Sequence, residues 1–126
     1  MPDSLFTTRR LDRGVTHVCL SGEIDLGVAV VLRQSLDDLI HNGQTRLLID
    51  LTDVSFLDST ALGVLLHTAK KLRRRRGGIA VVCPDPHMHQ LFELVGHTLL
   101  FPVDESVDQA LSHLQPERRR LGRSRT

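Results

Sequence analysis

Two short, almost continuous apolar runs constrain the fold of this chain more than any other feature: LLIDL at 47–51, with Asp50 as its one acid, and IAVVC at 79–83. A strand with one face in water alternates apolar and polar residues, whereas an uninterrupted apolar run is typical of a strand buried on both faces. Segments with helical apolar spacing lie between and after these runs. The pattern therefore predicts an α/β fold in which helices cover a mostly parallel sheet.

The first half of the chain predicts a hairpin followed by a helix. Strands at 5–11 and 15–21 are joined by the turn-like triplet Asp12-Arg13-Gly14. Asp25 then follows the second strand and is predicted to cap a helix, which Gly43 ends.

The second half predicts three more helices. One follows the stretch VSFLDSTALGVLL at 54–66 and ends in a basic run before Gly77. Another begins at Asp85-Pro86, and the last begins at Asp104 after a short extended piece at 99–103. The expected order is ββαβαβα(β)α, a mixed, mostly parallel sheet of about four to five strands covered by about four helices.

Composition and charge indicate one soluble domain with a basic tail. The 126 residues are 40% apolar and 25% charged, which is typical of a globular protein. The tail PERRRLGRSRT carries five arginines and one glutamate. Because the whole chain has a net charge of +1, the rest of the chain is mildly acidic. We expect a domain at 1–115 and a disordered tail at 116–126. An acidic domain without Trp or Tyr argues against direct nucleic-acid binding.

Nothing in the sequence predicts export or a membrane. Cys19 and Cys83 lie inside apolar runs and form no CxxC pair, which favours free thiols in a reducing compartment. No signal-peptide pattern and no apolar run of 18 residues occurs, so the expected location is cytoplasmic.

The motifs of common enzymes are missing. Ser59 lies in a strand-to-helix turn, but the G-x-S-x-G frame of a hydrolase is absent. No phosphate-binding glycine motif occurs either, and His87 and His89 would point apart on a helix. We therefore expect no enzymatic activity, no cofactor and no metal site.

An acyl-phosphate receiver on Asp50 is the alternative from another class of protein. Asp50 is predicted to lie at a strand end, as such an acceptor would. A receiver also needs an acidic pair after its first strand to hold Mg²⁺, whereas Glu23 and Asp25 follow the second.

The strand ends carry the candidate site. Ligand loops of α/β folds lie at the carboxyl ends of strands, so Asp25 and the predicted loop at 52–59 are expected to share one surface. By helical spacing alone, Thr60 lies opposite the core stripe and Ser59 at its edge, which favours Thr60 as the exposed hydroxyl.

The chain resembles the STAS-domain anti-sigma factor antagonists of bacteria over about residues 5–114. The resemblance is carried by SGEID at 21–25, LLIDLTDVSFLDSTALGVLL at 47–66, the strand at 79–83, FELVG at 92–96 and FPVDESVDQAL at 101–111. It implies a single STAS-like domain. Ala61 departs from the glycine that is common in the family, and alanine is small enough to keep the surface there open.

The resemblance also implies a switch between partners. The unmodified protein would bind an anti-sigma factor that is also a serine kinase and so free a sigma factor. Phosphorylation of Ser59, with Thr60 as the alternative acceptor, would end that binding until a phosphatase resets it. Asp25, Asp58, Ser59 and Thr60 would form the partner-binding surface. A STAS scaffold without phosphorylation, in a signalling or transporter complex, is the alternative within the fold.

Overall fold

The predicted order of elements is confirmed in a computed structural model, which describes residues 6–94 and 101–114. Within them lie a five-stranded sheet and four helices. The strands are β1 (Phe6–Arg10), β2 (Thr16–Ile24), β3 (Arg46–Leu57), β4 (Gly78–Val82) and β5 (Val103–Asp104). The helices are α1 (Leu26–His41), α2 (Ser59–Arg74), α3 (Pro86–Leu94) and α4 (Val107–Ser112).

The sheet is mixed, with the strands in the order β1-β2-β3-β4-β5. Strands β1 and β2 form the predicted antiparallel hairpin, and all later neighbours pair in parallel. A short 3-10 turn joins the hairpin, and its left-handed residues are Arg13 and Gly14, with φ of 68° and 75°. This topology agrees with the α/β fold expected from the apolar runs.

The run LLIDL is buried on both faces, as predicted. Leu47, Ile49 and Leu51 pack with α1 and α2 in the larger core. Leu48 points the other way, into a smaller core that includes Ala110 of α4. Among the described residues, the sheet therefore has a thick helical layer on one face and one short helix packed on the other.

Strand β3 is longer than the sequence indicated. The predicted loop at 52–59 is wrong, because the strand continues to Leu57 and pairs with β2 throughout. Its pairing with β4 ends at Asp50. Among the described residues, the second half of β3 thus has one neighbouring strand, and it has two exposed residues for each buried one. This pattern lacks the strict alternation of a strand and resembles a polar loop.

Three further predictions are corrected. The last helix is capped by Ser106, not Asp104, which belongs to β5. The apolar spacing of α3 predicts Leu91 on its buried face, but the Leu91 side chain is 46% exposed. Glycine is predicted to end α2, but the left-handed residue after that helix is Arg76, with φ of 59°. Gly77 has another reason to be glycine, because a Cβ there would collide with the backbone oxygen of Thr45.

Some predictions fall outside the described residues. They concern the tail at 116–126, Gly96 as the end of the third helix and the first part of the extended piece at 99–103. In the described part of the chain, none of the helices combines the length and apolar character that crossing a bilayer requires.

Candidate functional site

The ends of β2 and β3 bring two aspartates side by side. Ile24 and Leu57 are partners in the parallel register, and each is followed directly by an aspartate. The backbone N–H of Asp58 donates a hydrogen bond to the carbonyl of Ile24, at 3.0 Å. Asp25 and Asp58 therefore begin two adjacent helices at one edge of the sheet, as expected for a ligand surface of a parallel sheet.

Both aspartates are helix caps. The Oδ1 atom of Asp25 accepts a hydrogen bond from the Val28 N–H, at 3.0 Å. The Oδ1 atom of Asp58 accepts from the Thr60 N–H at 2.8 Å and from the Thr60 hydroxyl at 3.0 Å. The pKa of the Asp58 carboxyl is lowered below its ordinary value by these hydrogen bonds, first the one from the Thr60 N–H and then the one from the Thr60 hydroxyl. A weaker hydrogen bond from Ser59 lowers it further. Asp58 is therefore a fixed negative charge beside two hydroxyls.

The two hydroxyls differ in how firmly they are held. Ser59 and Thr60 are both exposed, so exposure does not favour Thr60 as helical spacing had predicted. The Thr60 hydroxyl donates to Asp58 at 3.0 Å, whereas the Ser59 Oγ lies 3.4 Å from the same oxygen. A separation of 3.4 Å is long for a hydroxyl donor. The Ser59 Oγ is consequently the less engaged of the two.

Ala61 does not form part of this surface. Its side chain is fully buried in the core beneath α2. The expectation that alanine keeps the surface open is therefore wrong, because it assumes that residue 61 lies at the surface, whereas the Ala61 side chain points inward. The replacement of glycine by alanine acts on the packing and helix propensity of α2 instead.

Exposed apolar side chains flank the helix starts, and the site predicted from the motif does not include them. Ser59 and Leu62 line an open groove of about 510 Å³ together with Phe56, Leu91 and Leu94, which are 49%, 46% and 75% exposed. Beside Asp25, the exposed apolar residues of α1 are Leu26, Val30 and Val31. A usable sequence signal was present, since LGVAVVL has more apolar residues than one buried stripe needs.

Asp50 does not have the position that an acyl-phosphate acceptor needs. It lies within β3, well before the strand ends at Leu57. Its Oδ1 accepts hydrogen bonds from the Thr52 N–H and hydroxyl, and its Oδ2 lies 2.9 Å from His17 Nε2. Burial tends to raise the pKa of Asp50, but these hydrogen bonds outweigh it and the pKa is lowered. The prediction that Asp50 ends a strand is wrong.

The pair His87 and His89 lies at the start of α3. The Nδ1 of His87 is 3.9 Å from Asp85, and that of His89 is 3.6 Å from Glu93. Asp85 is the predicted cap, since its Oδ1 accepts from the His87 N–H at 2.9 Å. The two histidines thus have separate carboxylate neighbours.

Comparisons with known proteins agree with the fold. The STAS domain profile matches residues 8–110. An anti-sigma F factor antagonist of Paenibacillus polymyxa is 32% identical over 104 residues, which are 82% of this chain and 89% of that protein. A crystal structure of an anti-sigma factor antagonist from Mycobacterium paratuberculosis is 36% identical with a TM-score of 0.75, covering 90% of this chain and 97% of that one. The phosphorylated form of the Bacillus cell fate determinant SpoIIAA has a TM-score of 0.66 at 22% identity, covering 86% and 97%, a likeness of fold alone.

Proposed function

The chain belongs to the STAS domain family, and we propose that it is an anti-sigma factor antagonist controlled by phosphorylation of Ser59. In its unmodified form it binds an anti-sigma factor that is also a serine kinase, and a sigma factor is released. Phosphate on Ser59 ends that complex, and a phosphatase restores it. The protein acts in the cytoplasm through binding and is not an enzyme.

One observation supports the proposal: Asp25 and Asp58 follow paired residues of β2 and β3, so the two helix starts, and Ser59 with them, lie side by side at one edge of the sheet. Relatives named as anti-sigma factor antagonists are similar in sequence to this chain over most of its length. The family resemblance assigns the acceptor role to the serine after the aspartate, which is Ser59 here. The 3.4 Å separation from Asp58 supports that choice over Thr60, because a hydroxyl without a short bond to its own helix cap can rotate more easily toward the catalytic groups of a kinase.

The apolar side chains around the two helix starts offer exposed apolar surface area that a partner can bury. Interfaces derive most of their affinity from a few desolvated, often aromatic, side chains surrounded by polar groups. Phe56 is a half-exposed aromatic residue in the groove that Ser59 lines. We infer that Phe56, Leu91 and Leu94 are the apolar centre of the interface and that Asp25 and Asp58 lie at its polar rim.

The electrostatics of the helix start explain how one phosphate can act as a switch. A phosphate adds about −1.5 to −2 charges and three strong acceptor oxygens. The positive end of the α2 dipole accommodates this charge, so the fold tolerates it. A partner docked over the same spot would have to desolvate both the phosphate and the Asp58 carboxylate, which is expensive. The modification therefore weakens binding without unfolding the protein.

A capture experiment tests the proposal. Ser59→Ala protein, which cannot be phosphorylated at that position, is used as bait in a lysate of the native bacterium, and Ser59→Asp serves as the matched charged bait. The proposal predicts that Ser59→Ala retains an anti-sigma factor with a kinase domain and that Ser59→Asp does not. Equal capture of the same protein by both baits would favour a STAS scaffold whose serine is not a switch.

A further inference from the structure

A second polar cluster lies in the middle of the sheet, away from the strand ends. It consists of His17 and Cys19 on β2 and Asp50 on β3, and Cys19 and Asp50 are partners in the parallel register. Val18, between the two β2 residues, packs into the core with α1 and α2. Because side chains alternate along a strand, the cluster faces the opposite side, where α4 is the one helix packed among the described residues.

The ligand atoms of the cluster converge on a single point. His17 Nε2 lies 2.9 Å from Asp50 Oδ2 and 3.5 Å from Cys19 Sγ, and all three ligand atoms lie within 4.8 Å of one another. Tetrahedral zinc with bonds of about 2.0–2.3 Å separates its ligand atoms by about 3.3–3.6 Å. The observed separations bracket that spacing, so small side-chain rotations bring the three atoms to metal-binding distances.

The geometry distinguishes this cluster from a catalytic relay. In a Cys-His-Asp or Ser-His-Asp triad, the nucleophile and the carboxylate contact different nitrogens of the imidazole ring, because one proton passes across it. Here both the thiol and the carboxylate face Nε2 of His17. A shared nitrogen cannot serve both contacts in a relay, whereas three donor atoms that face one point are what a cation needs.

The carboxylate is already oriented as a ligand. The Asp50 Oδ1 accepts two hydrogen bonds from Thr52, one from its backbone N–H at 3.0 Å and one from its hydroxyl. These bonds fix the plane of the carboxylate and direct Oδ2 toward His17. Such outer hydrogen bonds are a common feature of metal ligands and raise affinity by limiting ligand motion.

We propose that His17, Cys19 and Asp50 bind a divalent transition metal of the zinc type. A thiolate, an imidazole and a carboxylate suit Zn²⁺ or Co²⁺, and three protein ligands leave a fourth position for water. Cys19 is partly exposed, which provides a route for the ion. On binding, the Cys19 thiol loses its proton to solvent as the sulfur–metal bond forms. The Nε2 proton that His17 shares with Asp50 is also released to solvent, the neutral ring takes up one proton on Nδ1 instead, and the metal takes the place of the His17–Asp50 hydrogen bond. This site is independent of the switch proposed for Ser59.

Cobalt titration of the reduced, metal-free full chain tests the site, because Co²⁺ reports its own ligands. The site predicts one equivalent of tightly bound Co²⁺, a thiolate-to-cobalt charge-transfer band and displacement by Zn²⁺. Cys19→Ser should abolish the band and weaken Zn²⁺ binding more than tenfold, and His17→Gln should weaken it similarly. Cys83→Ser is the matched control, since Cys83 is the other cysteine and lies in the opposite core.

Two results would overturn the site. One is a Co²⁺ complex without a charge-transfer band in the unaltered protein. The other is a Cys83→Ser variant that loses as much affinity as Cys19→Ser, which would indicate general thiol binding. Circular dichroism of each variant distinguishes lost ligands from lost fold. The partly exposed Cys19 can be changed without disturbing the Asp50–Thr52 bonds, so the test remains decisive if His17→Gln fails to fold.

Discussion

The starts of α1 and α2 are near-copies of one another, yet they differ in one respect that determines their roles. Each follows a strand end, each is capped by an aspartate, and the two strands are direct neighbours. After Asp25 come Leu26 and Gly27, neither of which has a hydroxyl. After Asp58 come Ser59 and Thr60, both exposed and both donating toward the same carboxylate oxygen.

The presence of hydroxyls at the start of α2, and their absence at the start of α1, distinguishes a helix start that can be regulated by phosphate from one that can only contact a partner. A helix start without hydroxyls can contribute charge, shape and apolar area to an interface, but it offers no acceptor for phosphate. The start of α2 offers the same features together with a loosely held serine. Under the proposed function, α1 therefore supplies partner contacts that do not change and α2 supplies the charge that does.

The largest expected effect is that of a fixed charge at Ser59. Ser59→Asp should weaken binding of the anti-sigma factor on the order of 100-fold, about 2.7 kcal/mol, because a second carboxylate beside Asp58 must be desolvated on docking. Calorimetric titration with the purified partner measures it. Gln34→Glu adds the same charge to the exposed face of α1 and should change the affinity less than threefold. Equal losses in the two variants would contradict the special role of the α2 start.

The next largest effect concerns the exposed apolar side chains beside the starts of α1 and α2. Phe56→Ala should weaken binding by about tenfold, or 1.4 kcal/mol, because a half-exposed aromatic residue loses the area it buries against the partner. Val31→Ala, beside the start of α1, should have a smaller effect. Both variants should melt close to the parent temperature. A larger loss for Val31→Ala would move the centre of the interface to α1.

Removing the cap of α1 should affect stability more than regulation. Asp25→Ala should lower the free energy of unfolding by about 0.5–2 kcal/mol, because the Val28 N–H loses its acceptor. Asp25→Asn retains an acceptor oxygen and should cost much less. Urea unfolding measures both. Phosphate uptake at Ser59 should be unchanged in either variant, and a loss of uptake in Asp25→Asn would show that α1 takes part in the modification.

These predictions depend on features that the sequence indicated to different degrees. Local rules predicted the caps Asp25 and Asp85 and the buried run at 47–51, because capping and apolar periodicity act within a few residues. The second half of β3 was missed because it is paired on one side only and its exposed polar residues resemble a loop. Nothing local distinguishes Ser106 from Asp104 as a cap, since both residue types cap helices well.

The functional sites, too, were predictable from the sequence to different degrees. The motif predicts Ser59 and Asp58 as site residues, but the exposed apolar groove depends on how α3 packs beside β3, which no local pattern specifies. The cluster of His17, Cys19 and Asp50 is assembled by the parallel register of two strands far apart in sequence. Such juxtapositions follow from tertiary pairing alone.

The charge on Asp58 gives a pH-dependent effect of smaller size. The pKa of Asp58 in the folded protein lies below its ordinary value, about 3.9 in an unfolded chain. Its charge therefore stabilises the fold above about pH 4, and this contribution is lost as the pH falls through the folded pKa. Asp58→Asn keeps the cap and removes the charge, so it should be less stable than the parent at pH 7. The difference in urea midpoint should shrink toward pH 3, and a constant difference would argue against a charge effect.

The smallest expected effect is that of the basic tail. A chain that ends at Gln115 should bind the partner within tenfold of the full chain at physiological salt, because recognition is assigned to the two helix starts. Calorimetry of the truncated and full chains compares them. A larger loss would mean that the arginines contribute directly to the interface.

The site of modification tests the central claim most directly. The unaltered chain, Ser59→Ala and Thr60→Ala are incubated with the cognate kinase and ATP, and intact mass and fragment spectra locate the phosphate. We predict one phosphoryl group on Ser59 in the unaltered chain and in Thr60→Ala, and none in Ser59→Ala. Phosphate that persists in Ser59→Ala and disappears in Thr60→Ala would contradict the assignment, and an unmodified chain in all three samples would contradict the switch itself.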